Sequence, residues 1–402
     1  MAYTTVESGP ISSVSSLAAN QMTDNDRVLY LLEPYQYPLF QKLYFSEGHK
    51  AKPVVNDRGL FNWFEDELYP RFTSLTGAGV AGGSATQASV GLAASIFQVN
   101  DILLAEVTMQ QMYVTSITGG VTVSSMDGST LLVAATSGVI RKVGVLDHEY
   151  AGVRTAVSTQ EIQVSNYLTK FNESVAMTGR QDASEQWTDG KNFKDELQKK
   201  IREMKLIFEN NFKYSVSSGI KAITGSDGNS YYATWGKGFL GFITTNKVSY
   251  TTLTEDVLDD FFGKILTSGG SNKKTAYCGY NISMGAGKLI KQKYAIDPKP
   301  IVTEYGVRLT RYHVSGGDIE MPWDPTMDNA FADYMFAIDF NSPKKELRMR
   351  YMKDDSHGSR KFRVEANVQT PGTDGRVDKI LADIGMELPN QETDGILYKA
   401  AA

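Results

Sequence analysis

Residues able to do acid–base or metal chemistry are present in this sequence, but their spacing does not organise them. The four histidines, His49, His148, His313 and His357, lie far apart, and Cys278 is the single cysteine. A zinc site is built from Cys and His ligands at short repeated intervals, so no metal motif is read here. His148 and Glu149 are adjacent; on a strand they would point to opposite faces, and they read as a turn. Glu65, Asp66 and Glu67 form one run of carboxylates, and Asp354 and Asp355 another with His357 nearby. Paired carboxylates can divide the acid and base roles of glycoside hydrolysis. The stretch Asp354-Asp355-Ser356-His357-Gly358-Ser359 nevertheless has the composition of a hairpin loop.

Gly285-Ala286-Gly287-Lys288 has part of a phosphate-binding loop, but Ile282 stands where the first glycine is required and Leu289 where the magnesium-binding hydroxyl is required. Lys288 therefore reads as solvated helix surface. There is no Gly-x-Ser-x-Gly elbow. Cys278, between Tyr277 and Gly279, has no local histidine and reads as a buried structural thiol. Catalytic, cofactor-binding and metal-binding residues are all expected to be absent, and the chain to be structural and not an enzyme.

The chain has 402 residues, enough for two or three packed units. Hydrophobic residues make up 41% and aromatic residues 11%, which excludes disorder of the whole chain. The net charge of -5 is spread along the sequence, so no basic field exists to neutralise a run of phosphates. A lone cysteine fits a reducing compartment. Met1 to Asn20 lacks the basic and apolar regions of a signal peptide. No apolar run approaches the ~18 to 20 residues that cross a bilayer. A soluble protein without membrane contact is expected.

Residues 1–57 carry Pro10, Pro34, Pro38 and Pro53, which forbid long helices and central strands. They read as an extended arm with a short helix near Thr23 to Leu32. Gly59 to Tyr69 is dense in aromatic residues and reads as a strand. Five short alternating runs follow between Ser89 and Asp147, punctuated by Gly119-Gly120 and Asp127-Gly128, and they predict a small all-β module at about 89–147. Gln160 to Met177 alternates again and is expected to return beside the Gly59 strand, closing a long hairpin over 58–179.

Phe193, Leu197, Ile201, Met204, Phe208 and Phe212 step by three or four residues and predict one apolar face of a helix over Asn192 to Ser217. Asp195 to Lys199, Glu196 to Lys200 and Glu209 to Lys213 read as favourably ordered i,i+4 pairs. Further helices are predicted over Thr254 to Leu266, capped by Thr254, and Ile282 to Tyr294. Strands are predicted at Thr275 to Tyr280, Val307 to Val314, Tyr334 to Asp339, Glu346 to Tyr351 and Arg360 to Val368. The polar tail after Leu388 is expected to be loosely held. The class is α+β.

This order of parts, with Trp63-Phe64-Glu65-Asp66-Glu67-Leu68, Val164-Ser165-Asn166-Tyr167 through Phe171, Ser174 and Gly179, Lys191 to Ser217, and Gly306-Val307-Arg308-Leu309 with Met321-Pro322, resembles the major capsid proteins of tailed bacteriophages with the Hong Kong 97 capsid fold. The resemblance implies an N-terminal arm (1–57), an E-loop hairpin (58–179) carrying the β module, a peripheral domain with its spine helix (180–224), an axial domain (225–300), and closing strands with a tail (301–402). It implies a subunit that self-assembles as pentamers and hexamers into an icosahedral head around double-stranded DNA, held only non-specifically. The chain would be made in the host cytoplasm and end in the virion, with portal, scaffolding or decoration proteins as further partners.

A two-stranded hairpin is marginal in water, and its aromatic residues need cover. The subunit-contact candidates are therefore Phe61, Trp63, Phe64, Asp66, Tyr69, Tyr167 and Phe171, with Phe193, Leu197, Ile201, Met204, Phe208 and Phe212 as the spine-helix core. Heterologous contacts of this kind generate rings when the rotation closes, as capsomers must. The competing readings are an encapsulin-like shell or another virion protein, and a carbohydrate-active enzyme or binding module using the carboxylates.

Overall fold

The computed structural model describes residues 37–45, 51–56, 58–75, 87–90, 96–118, 120–131, 138–184, 192–294, 301–302, 308–314, 316–341, 347–354 and 358–400. The expected helix at Thr23 to Leu32, most of the arm, and Asp355 and His357 lie outside them. The chain forms two compact units, one from residues 1–63 with 165–402 and the other from residues 64–164.

The larger unit holds two main sheets. In the six-stranded sheet the order is Lys52–Val54, Arg348–Asp354, Gly375–Glu387, Thr169–Thr178, with Gly358–Ser359 and Arg363–Glu365 paired onto the second and third strands. Thr169–Thr178 runs antiparallel to Gly375–Glu387 from Thr169 opposite Ile384 to Thr178 opposite Gly375. The alternating run expected to be one returning strand is thus two. Ile162–Tyr167 pairs with Leu60–Glu65, and after the buried Leu168 the chain joins a different sheet. Leu168 marks the change: its N–H donates to the Gly59 carbonyl at 2.9 Å, and its side chain is buried.

The helix Phe193–Tyr214 lies on the six-stranded sheet, with Phe208 meeting Phe171 edge-on at 4.8 Å. Its periodic residues divide in burial: Phe193, Met204, Phe208 and Phe212 are buried, while Leu197 and Ile201 are half-buried.

In the seven-stranded sheet the order is Lys247–Tyr250, Gly395–Lys399, Tyr334–Ile338, Lys273–Cys278, Gly317–Pro322, Arg308–Val314, Ile301–Val302. The helix Glu255–Thr267 packs Leu258, Phe261, Phe262 and Ile265 onto Cys278, Ile319, Met335 and Leu397. Its start follows from sequence: the Thr254 hydroxyl accepts from the Val257 N–H, and Glu255 and Asp256 in the first turn complement the helix dipole. Helix Tyr280–Tyr294 adds Ile282 and Ala286 to the same core.

The tail after Leu388 is not loose. Gly395–Lys399 lies between Lys247–Tyr250 and Tyr334–Ile338, and Ile396 and Leu397 are wholly buried. Polar residues 389–394 conceal a short apolar strand whose neighbours come from distant sequence. A β-carbon at Gly395 would stand 2.5 Å from the Ile265 side chain, so any larger residue at this crossing would have to push that side chain aside.

The smaller unit contains a six-stranded sheet in the order Phe72–Ser74, Val139–Val145, Asp101–Ala105, Gln110–Ser116, Val121–Ser125, Gln87–Val90. Alternation in Asp101–Ala105 and Val121–Ser125 buries every second residue, and Leu75, Phe97, Leu103, Met112, Val114, Val121, Val123 and Ile140 form its core. Asp101 is fully buried, 2.8 Å from both Lys142 Nζ and Arg154 Nη2, and accepts from the Gln98 N–H at 2.9 Å. Burial raises its carboxyl pKa, but these hydrogen bonds outweigh that effect and hold it below its usual value.

Candidate assembly surface

The surface to be explained consists of elements without enough core of their own. Along Leu60–Glu65 alternation sends Phe61 and Trp63 inward and Phe64 outward. Phe61 stacks on Trp63 at 6.1 Å, Trp63 meets Phe242 at 5.7 Å, and the Arg350 guanidinium lies 5.4 Å over the Phe61 ring. These two candidates are therefore covered within their own subunit. The expectation that the aromatic residues here lack cover fails for them, because cover comes from the segment around Phe242 and from Arg350, distant in sequence. Tyr167 and Phe171 are half-buried, and Phe171 belongs to the sheet under the long helix.

Phe64 is 65% exposed and Leu68 83%, with Asp66 exposed and Tyr69 half-buried. Phe72 is exposed as well. From Asp147 to Glu161 the chain runs outside any strand and presents Tyr150 and Val153 almost wholly to solvent. It is attached to the module where Arg154 reaches Asp101 and the Val99 carbonyl, both at 2.8 Å.

The larger unit carries a second such element, the ribbon of Gly219–Thr224 and Ser230–Trp235, which forms a sheet of two strands only. Ile223, Tyr231 and Tyr232 are exposed on it. Its turn is fixed: Asp227 accepts from the Asn229 N–H, the Asn229 side chain and the Tyr231 hydroxyl, and Gly228 takes a φ of +79°. Those hydrogen bonds hold the Asp227 carboxyl below its usual pKa, the one from Tyr231 most. At its base Thr234 Oγ1 donates to the Leu168 carbonyl at 2.6 Å, and the Gly236 N–H donates to Thr169 Oγ1 at 2.9 Å.

The larger unit also holds buried ionic joints that sequence reading missed. Lys213 is buried between Glu209, at 2.5 Å, and Asp324, and also reaches Thr326 Oγ1 at 2.7 Å. Burial lowers the Lys213 pKa, but the two carboxylates outweigh it and raise it. Burial raises the Glu209 carboxyl. The pair Glu209 and Lys213 carried an i,i+4 signal, but that signal is the same for a solvated pair and a buried one. A second joint sets Lys274 Nζ 3.3 Å from Asp339 and 2.8 Å from the Thr393 carbonyl.

The groups considered for chemistry are not brought together. His148 lies exposed outside any strand, and His313 makes an exposed cross-strand pair with Asp318 at 2.6 Å. Asp354 pairs with Arg363 at 2.8 Å. Gly285 to Lys288 lies inside the helix Tyr280–Tyr294, where a phosphate cradle cannot form. Cys278 is buried, which pushes its thiol pKa well up. Among the described residues no group of three or more His, Cys, Asp or Glu is placed to hold a metal, and no helix is long and apolar enough to cross a membrane.

No curated protein matches the sequence significantly. Among solved structures, the chain is similar to the capsid of a native GTA particle at 9% identity and a TM-score of 0.47, covering 96% of this chain and 97% of that one. It is similar to a chain of Microbacterium phage Oxtober96 at 10% identity and a TM-score of 0.46, covering 98% and 100%. Likeness to the SrpI encapsulin complex of Synechococcus elongatus PCC 7942 has 10% identity, a TM-score of 0.42, and covers 60% and 77%. The α+β class expected from the sequence is the one the structure has, with helices and sheets mixed along the chain. Residues 5–401 match the model of the SU10 major capsid protein, and the chain belongs to that capsid-forming family.

Proposed function

We propose that copies of this chain form the pentamers and hexamers of an icosahedral head enclosing double-stranded DNA, and that Phe64, Asp66, Leu68 and Tyr69 reach a neighbouring subunit. The observation that carries this reading is the exposure of apolar side chains on slender elements, Phe64 at 65% and Leu68 at 83%, in a chain matched over residues 5–401 by a major capsid protein family. Neighbouring subunits would supply the missing cover, and contacts between different patches form rings where the rotation between subunits closes. In this reading the peripheral part comprises the six-stranded sheet and long helix, the axial part the seven-stranded sheet, and the smaller unit is the inserted module. The net charge of -5 fits a shell that holds DNA only non-specifically. The protein then resides in the virion, after synthesis in the host cytoplasm, with portal, scaffolding or decoration proteins as partners. Crosslinking mass spectrometry on assembled particles tests the contact assignment: inter-subunit links should involve the segment from Phe64 to Tyr69, and links confined to one subunit would refute it.

A further inference from the structure

The helix Pro38–Phe45 has eight residues, below the ~12 to 15 at which even favourable isolated helices persist in water. Its sequence supplies no Ser, Thr, Asp or Asn cap, since Tyr37 precedes Pro38. Proline is harmless at this first position because the N–H it lacks would be unpaired anyway. The next two donors, the Leu39 and Phe40 N–H groups, go to Glu209 Oε1 at 3.1 Å and Oε2 at 2.6 Å. Glu209 is thus a helix cap supplied by the long helix.

Glu209 is also one of two carboxylates sharing the Lys213 ammonium, all three at most 1% exposed. With both acids ionised this cluster has one negative charge in excess, and the positive end of the short helix faces it. The rest of the helix is fastened elsewhere. Phe40 packs on Phe208 at 5.3 Å, and Lys205 Nζ lies 5.4 Å over the Tyr37 ring. Lys42 Nζ donates to Thr275 Oγ1 at 3.1 Å and sits 4.0 Å over the Phe340 ring. Lys361, just ahead of the strand Arg363–Glu365, places its Nζ 3.7 Å over the Tyr44 ring. The helix therefore touches the long helix, the central part of the seven-stranded sheet, and a segment attached to the six-stranded sheet.

We propose that Pro38–Phe45 is a releasable strap: docked on the excess negative charge at Glu209, it fixes the two sheets of the larger unit relative to each other, and withdrawing it lets them shift. The strap has no independent stability, so release is the melting of one short element. The charge bookkeeping separates this role from simple structural support. Glu209→Gln leaves Lys213 and Asp324 as a neutral pair, which keeps the core intact, while the strap loses its two charge-assisted hydrogen bonds.

The test combines hydrogen exchange on the full-length chain with distance measurement between spin labels at Asn172→Cys and Ser249→Cys, exposed positions on the six-stranded and seven-stranded sheets. In Glu209→Gln, amides of residues 39–45 should exchange about tenfold or more faster, the inter-label distribution should broaden, and one cooperative unfolding transition should remain. Unchanged strap exchange, or a freed strap with an unbroadened distribution, overturns the proposal. Lys42→Met, which leaves Glu209, Lys213 and Asp324 in place, decides if Glu209→Gln does not fold: faster strap exchange with a broader distribution supports the strap, and wild-type behaviour in both refutes it.

Discussion

Trp63 rests against Phe242 with ring centroids 5.7 Å apart, although 179 positions separate the two residues in the sequence. With Phe61 stacked on it as well, it belongs to the subunit's interior at 7% exposure. Trp63→Ala should therefore destabilise the isolated subunit by about 3 to 5 kcal/mol. Denaturant titration checks this, and a loss confined to assembly would return Trp63 to the outer surface.

Phe64, the next residue along, should behave in the opposite way. It is 65% exposed, so Phe64→Asp should leave subunit stability within about 0.5 kcal/mol while shifting assembly toward free subunits. Sedimentation and thermal melting of the same sample separate the two effects. Normal assembly by this variant would remove Phe64 from the subunit contacts.

Asp101 gives the smaller unit a dependence on acid. Its folded carboxyl pKa lies below the unfolded value, so its contribution is present above about pH 4 and is lost as pH falls through the folded value. Asp101→Asn should cost about 3 kcal/mol near neutrality, because Lys142 and Arg154 lose their buried partner. The difference from wild type should shrink on acidification. A difference independent of pH would show that the carboxylate charge is not what matters.

The C-terminal strand should be indispensable to the larger unit. Removing residues 395–402 deletes Ile396 and Leu397, both fully buried, and uncovers the strands on either side. Such a chain should lose its cooperative unfolding transition by circular dichroism. A truncated chain melting as the wild type does would contradict the sheet order.

Local patterns carried much of this fold. The helix Phe193–Tyr214 shows its apolar period in five turns of sequence, and Thr254 caps the next long helix as its hydroxyl suggests. Pairing partners were another matter. Gln160 to Met177 looks like one alternating run, and only the register with Gly375–Glu387 divides it after Tyr167. The last strand escaped notice because five residues behind a polar stretch give no periodic signal, and its burial is imposed by neighbours far away in sequence. The helix Pro38–Phe45 escaped because its cap, Glu209, lies 169 residues from Phe40. For the assembly surface, the sequence marked the aromatic stretch but could not separate Phe61 and Trp63 from Phe64, since that separation depends on what packs behind the strand.

Density-gradient sedimentation of the full-length protein, followed by electron microscopy of the fast fraction, shows whether this chain builds a closed shell from its own copies. The fast fraction should hold uniform closed particles with capsomers of five and six subunits. Folded protein that sediments only as monomers or small open oligomers, at every concentration and ionic strength tried, would contradict closed-shell assembly.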